Sequence, residues 1–313
     1  MQPTETRSSW KLGRIAVATD LSPGSALAVR RAARLAERYG AHLSLVHVVP
    51  IGLWDGLPQR LAAGLAATLP TEEAVRQDAE EVLRDLAREA CAAGRITCDV
   101  CVRVGRTVVQ ICAAAQSLNA DLMVVGAHGR HPVRDMLLGT TVQKLLRLSP
   151  CPILVVKAAA MEDYSVVLAP TDLSDASRRA VCAAAQLLPL ARIHLAHAFE
   201  LPYDGLMRHA RVDAATMAQY HALARERLLR ELADWADAAG VAAGRRQLVV
   251  EHGYPPRCIT EWIGRTGAQL VVLAAQAKAP LDVPFIGSVS LHTALTATCD
   301  VLLLRERAEN HAS

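Results

Sequence analysis

No apolar run in this 313-residue chain reaches the roughly 18 residues that a membrane-spanning helix needs, so no membrane segment is expected. The first residues, Met1 to Ser9, hold no apolar stretch of the kind a secretory leader requires. The G-x-x-x-x-G-K-[ST] loop is missing, and with it the lysine of P-loop enzymes. There is no G-x-S-x-G elbow for hydrolase chemistry. No G-x-G-x-x-G with a ribose-binding acid about 20 residues on is found, which argues against nicotinamide dinucleotides. The Ser-Gly-Gly-x-Asp-Ser loop of pyrophosphatase-type ATP enzymes is absent as well. No Asp/Glu cluster stands ready for a divalent metal, and a net charge of +3 is too small for a dedicated nucleic-acid surface. Eight cysteines scattered through a chain that is 52% hydrophobic suit reduced, mostly buried thiols in a cytoplasm.

What the chain does have is a second copy of itself. Ile15-Ala16-Val17-Ala18-Thr19-Asp20-Leu21-Ser22 returns as Val167-Leu168-Ala169-Pro170-Thr171-Asp172-Leu173-Ser174. Leu45-Val46-His47-Val48 returns as Leu195-Ala196-His197-Ala198, and the segment from Ser149-Pro150-Cys151 returns at Ala297-Thr298-Cys299. The offset drifts only from 152 to 148 residues, so the halves share one topology. A period this long marks a duplicated domain, since solenoid repeats run to about 20–50 residues. Two domains are expected, 1–158 and 159–313, joined near Ala158-Ala159-Ala160-Met161. The first carries 19 basic against 14 acidic residues and the second 15 against 17, a tilt that favours an anionic ligand in the first half.

The first half also contains Val124-Val125-Gly126-Ala127-His128-Gly129-Arg130, followed after a loop by Gly139-Thr140-Thr141. The pattern is G-x2-G-x9-G-T. Backbone approaches a phosphate closely where no Cβ intervenes, and open N–H groups at a helix start attract anions. Thr140 and Thr141 add hydroxyl donors there. The chemistry suggested is binding of a nucleotide's ribose and phosphates, without evident means of breaking them.

Short apolar runs alternate with amphipathic stretches around this motif. Strands are expected at Arg14–Ala18, Ala41–Val49, Ile96–Val104, Leu122–Val125 and Ile153–Val156. Helices are expected at Ala26–Tyr39 (closed by Gly40), from Thr71 to about Ala93, at Val108–Leu118 and at Thr140–Leu148. Glu72/Arg76 and Glu80/Arg84 support the long helix at i,i+4. Strands separated by helices imply a doubly wound, five-stranded parallel sheet in each domain. Ligands of such α/β sheets sit at the carboxyl ends of the strands, where Asp20, Val48 and Gly126 all fall.

These motifs resemble those of the universal stress protein family, and the whole chain from about Trp10 to Arg305 is similar to a tandem, two-domain member. The resemblance implies two Rossmann-like domains and a cytoplasmic stress-response protein that binds ATP or ADP/AMP. The nucleotide could bring Mg²⁺ with it. Carried over by position, Asp20 and the backbone around Thr19 and Val48 would hold adenine and ribose. Gly126, His128, Gly129, Arg130, Gly139, Thr140 and Thr141 would surround ribose and phosphates. Family members pair through their last strand, which here implies Ile153–Val156 against Val301–Leu304 within a chain, or a homodimer. The nucleotide would act as a switch, altering loop 127–138 and the surface shown to a protein partner.

Other readings stand beside this one. Asp20 either contacts ligand or caps the following helix. His47 and His197, in apolar strands, read as satisfied core or pocket-wall histidines. Cys98 and Cys101 fit C-x-x-C, yet residues three apart on a strand face opposite ways, which favours a structural role. No catalytic residue is evident; the enzyme alternative is slow ATP hydrolysis with His128 or Arg130 steadying phosphates. A scaffold that binds no nucleotide is the third possibility. The second half departs from the motif: Ala274 and Ala277 replace the early glycines, while Asp172 and Gly287-Ser288 survive. Methyl groups there would crowd a phosphate and disfavour positive φ, so triphosphate binding is expected to be lost or altered.

Overall fold

The computed structural model describes residues 10–51, 70–92, 96–129, 138–158, 162–201, 209, 212–275 and 286–305. The chain divides into two compact units, Leu12–Met161 and Glu162–Glu306. In the first unit the strands are β1 (Arg14–Ala18), β2 (His42–Val49), β3 (Cys98–Val104), β4 (Leu122–Gly126) and β5 (Ile153–Val156). The helices are α1 (Pro23–Tyr39), α2 (Glu72–Ala90), α3 (Thr107–Ser117) and α4 (Thr140–Leu148). The strand order is β3-β2-β1-β4-β5, and every pairing is parallel. Helices cover both faces of such a sheet, which is why β4 and β5 are apolar at nearly every position instead of alternating.

Local chemistry explains the element ends. Ser22 caps α1: its hydroxyl accepts from Ser25 N–H at 3.2 Å, and Ser25 Oγ accepts from Ser22 N–H at 3.1 Å. The helix therefore starts at Pro23, three residues before the expected Ala26. A proline at the first helical position lacks only an N–H that would have had no partner anyway. Gly40 closes α1 in the left-handed region at φ 61°. Thr71 caps α2 as expected, but Arg76 pairs with Glu73 at 2.6 Å and Glu80 at 3.2 Å instead of with Glu72. Glu80 also binds Arg84.

The second unit repeats this plan. Its strands are β6 (Val166–Pro170), β7 (Arg192–Phe199), β8 (Arg246–His252), β9 (Leu270–Ala274) and β10 (Asp300–Leu304). Its helices are α5 (Asp175–Leu187), α6 (Ala214–Ala238), α7 (Pro255–Thr266) and α8 (Ser288–Thr296). The order is β8-β7-β6-β9-β10, again parallel throughout. Each unit is thus a doubly wound five-stranded parallel sheet. The chain runs outward from β1 to β3, then returns to the other side of β1 with β4. The reversal opens a crevice at the carboxyl ends of β1 and β4, where open α/β sheets bind ligands. In the second unit the same reversal lies between β6 and β9.

Candidate functional site

The crevice of the first unit is built from the loop after β1. Thr19 N–H extends the sheet by donating to Val46 O at 2.9 Å. Its buried hydroxyl lies 2.8 Å from Ser25 Oγ and accepts from Leu21 N–H at 3.0 Å. Asp20 Oδ1 accepts from Ser22 N–H at 3.1 Å. The cap of α1 is Ser22, not Asp20, so Asp20 braces the turn that leads into the helix. Leu21 pays for that turn with φ 63°, a conformation that non-glycine residues adopt rarely and that costs on the order of 1–3 kcal/mol. On the neighbouring strand His47 donates from Nδ1 to the Thr19 carbonyl at 2.8 Å, which fixes its tautomer and ties β2 to the loop. Val48, buried, follows it at the carboxyl end of β2.

The segment after β4 lies directly against this loop. A Cβ built on Gly129 would come within 2.5 Å of Asp20 Oδ2, and one on Gly126 within 2.8 Å of Gly24 O. A Cβ on Gly24 would meet His128 O at 2.6 Å. The two loops therefore pass each other with glycine on both sides. None of Gly126, Gly129 and Gly139 has a positive φ. They supply space rather than a left-handed turn, and the atoms filling it at 126 and 129 belong to the protein.

Gly139 N-caps α4 at φ −63°, ψ 148°, and its N–H donates to Ala127 O at 2.9 Å. Among the described residues no side chain caps the N–H groups of the first turn of α4. Open donors of this kind, at the positive end of a helix dipole, attract an anion. Thr140 is exposed and Thr141 half-buried on that turn. His128 is half-buried and Gly129 exposed. Arg130 lies outside the described residues, as does most of loop 127–138. The fold thus brings the Thr19–Asp20 loop against Gly126, His128 and Gly129, with Gly139 bonded to Ala127 and Val48 on the neighbouring strand. Reading the sequence missed Leu21, Gly24 and Ser25. The exact recurrence of Thr-Asp-Leu-Ser in both halves was the available signal for Leu21.

The second unit reproduces the β1 side of this site closely. Thr171 N–H donates to Ala196 O at 2.9 Å, its hydroxyl lies 2.9 Å from Ser177 Oγ, and His197 Nδ1 donates to Thr171 O at 2.8 Å. Leu173 has φ 61°. Burial acts to raise the Asp172 pKa, but hydrogen bonds from Ser174 and Ser177 outweigh it and hold the carboxyl below its ordinary range. Opposite, Ala274 occupies the place of Gly126, and its carbonyl accepts from Ser290 Oγ at 3.0 Å. Ala277 and the two loop prolines, Pro280 and Pro284, lie outside the described residues.

The model of the universal stress protein family matches residues 11–157 and again residues 163–305. The chain belongs to the universal stress protein family. It is similar along nearly its whole length to a universal stress protein of Mycolicibacterium smegmatis, 28% identical over 94% of this chain and 97% of that one. Universal stress protein A homolog 1 of Coxiella burnetii is 32% identical over 45% of this chain and 94% of its own. Among solved structures, a universal stress protein from Archaeoglobus fulgidus covers 94% of this chain and 99% of its own with a TM-score of 0.65; at 18% identity the likeness is one of fold. In this tandem universal stress protein no described helix is long and apolar enough to cross a membrane.

Proposed function

We propose that the first domain binds ATP or a related adenine nucleotide, ADP or AMP, in the β1/β4 crevice and acts as a ligand-dependent switch. One observation carries the reading: the uncapped first turn of α4 stands behind the Ala127–Gly129 segment that packs on the Asp20 loop. An anionic group at α4 and a hydroxyl-bearing group at Asp20 would then be held by two loops already in contact. Asp20, with the backbone of Thr19 and Val48, takes the adenosine part. Gly126, His128, Gly129, Arg130, Gly139, Thr140 and Thr141 surround the phosphates. Any Mg²⁺ would be carried by the nucleotide.

A ligand shifts a conformational equilibrium only by its differential affinity for the two states. Here that difference resides in loop 127–138, whose altered surface a protein partner would read. The second domain retains the Asp172 side of the crevice but has Ala274 in the place of Gly126, and its triphosphate binding is lost or altered. Titration calorimetry with ATP on the full chain tests this. One site per chain, accompanied by protection of loop 127–138 from protease, is the expected result. Two equal sites would overturn the assignment to the first domain, and no site at millimolar ATP would overturn nucleotide binding altogether.

A further inference from the structure

Away from the crevice, two cysteines meet at the other end of the first sheet. Helix α2 buries Ala79, Leu83 and Ala87, a row spaced by four residues. The next member of that row is Cys91, the half-buried C-cap residue. Strand β3 opens at Cys98, also half-buried. Its neighbours Thr97 and Asp99 turn to one face, where both bind His42 at 2.9 Å. Arg103, on that same face, reaches Ser117 of α3 at 2.8 Å. Cys98 therefore points to the opposite face, the one α2 covers. There Cys91, at the end of α2, is its neighbour, while the Cys98 thiol itself donates to the carbonyl of Asp99 at 3.8 Å. Cys101 falls on the α3 face, so the C-x-x-C pair of the sequence is not the pair that meets.

We propose that Cys91 and Cys98 are a dithiol that hydrogen peroxide oxidises to an intramolecular disulfide. Burial, and after it the adjacent Cys91, push the Cys98 thiol up to about 12, so Cys98 keeps its proton at neutral pH. Cys91 is the attacking sulfur. Its sulfur bonds one peroxide oxygen as the O–O bond breaks, giving a sulfenic acid and a water. Cys98 sulfur then bonds Cys91 sulfur as the S–O bond breaks, and the Cys98 proton leaves with the hydroxyl as a second water. Two thiols are oxidised and one peroxide is reduced to two waters. No disulfide joins any of the eight cysteines.

The test is peroxide treatment of the full chain, alkylation of remaining thiols, and mass spectrometry of the unreduced digest. A Cys91–Cys98 cross-linked peptide that dithiothreitol separates is expected. Cys98→Ser should leave a sulfenic acid on Cys91 that dimedone traps, whereas Cys91→Ser should leave Cys98 alkylated. Serine is close to cysteine in size, and circular dichroism checks that both variants fold. Cross-linking of Cys98 to Cys101 would overturn the proposal. So would full alkylation of Cys91 and Cys98 under peroxide that oxidises other thiols, or dimedone capture at Cys98 in Cys91→Ser.

Discussion

Gly129→Ala copies into the first domain the alanine of the second, and its effect follows from the contact between the two loops. The new methyl would lie 2.5 Å from Asp20 Oδ2. Ordinary contacts lie at about 3.5–4.0 Å, so the carboxylate must withdraw by roughly 1 Å. Withdrawal strains or breaks the 3.1 Å bond from Ser22 N–H to Oδ1. A hydrogen bond to a charged acceptor contributes about 1.5–3 kcal/mol, reduced here because Asp20 is only half-buried and water can replace the donor. Gly129 is not at positive φ, so alanine also gains about 0.4–1 kcal/mol by restricting the unfolded chain. The net loss of stability is about 1 kcal/mol, a fall of about 2–4 °C in Tm for a domain of this size. If Asp20 holds a ribose hydroxyl, losing that bond at about 2 kcal/mol weakens ATP about 30-fold. Calorimetric titration and thermal unfolding of the unliganded variant separate the two effects. Affinity within about twofold of wild type, with the Tm lowered as stated, would refute a role for Asp20 in binding.

Gly24→Ala should be harsher, because its methyl meets the backbone carbonyl of His128 at 2.6 Å and a backbone cannot step aside. We expect a loss of about 1–3 kcal/mol in urea unfolding, and no change would mean that the loops separate easily. In the second domain, Tyr164→Phe removes the 2.5 Å hydrogen bond to the fully buried Asp300 and should cost about 1.5–3 kcal/mol, read by the same assay. His194 is buried with Nδ1 lacking a partner among the described residues, and burial, then the charge of Arg192, lowers its pKa. Below about pH 6.5 the unfolded chain binds a proton at this site that the folded chain resists, so stability present above that pH is lost as pH falls through it. His194→Ser, which installs the residue found at Ser44 in the matching register of β2, should flatten denaturation midpoints between pH 7 and 5. An unchanged slope would refute the assignment.

Much of the fold was legible because it rests on local pattern. Arg14–Ala18, Thr140–Leu148 and Ile153–Val156 lie where their apolar runs and periodicity put them. The duplicated segments announced the duplicated domain, and alternating strands and helices implied parallel sheets. Pro23 was read as punctuation before α1 when it is the first helical residue, since the same residue suits a turn and a helix start. The carboxyl-end location of Asp20, Val48 and Gly126 followed from strand ends alone.

The rest was decided by residues distant in sequence. Glycine at 126 and 129 suggested, from the pattern, room for a phosphate; only the folded chain shows Gly24 and Asp20 occupying that space. Nothing in the propensity of leucine foretells φ 63° at Leu21 or 61° at Leu173, because a network of hydrogen bonds from Thr19, Asp20 and Ser22, repeated in the second domain, imposes it. The partner of Cys98 was likewise set by which helix covers which face of β3. Sequence by itself determined the periodic elements, their duplication and the family, since each rests on short-range pattern. Tertiary structure alone decided which loops touch, which sulfurs meet and why the glycines are needed, since those are contacts formed only when the sheet brings its strand ends together.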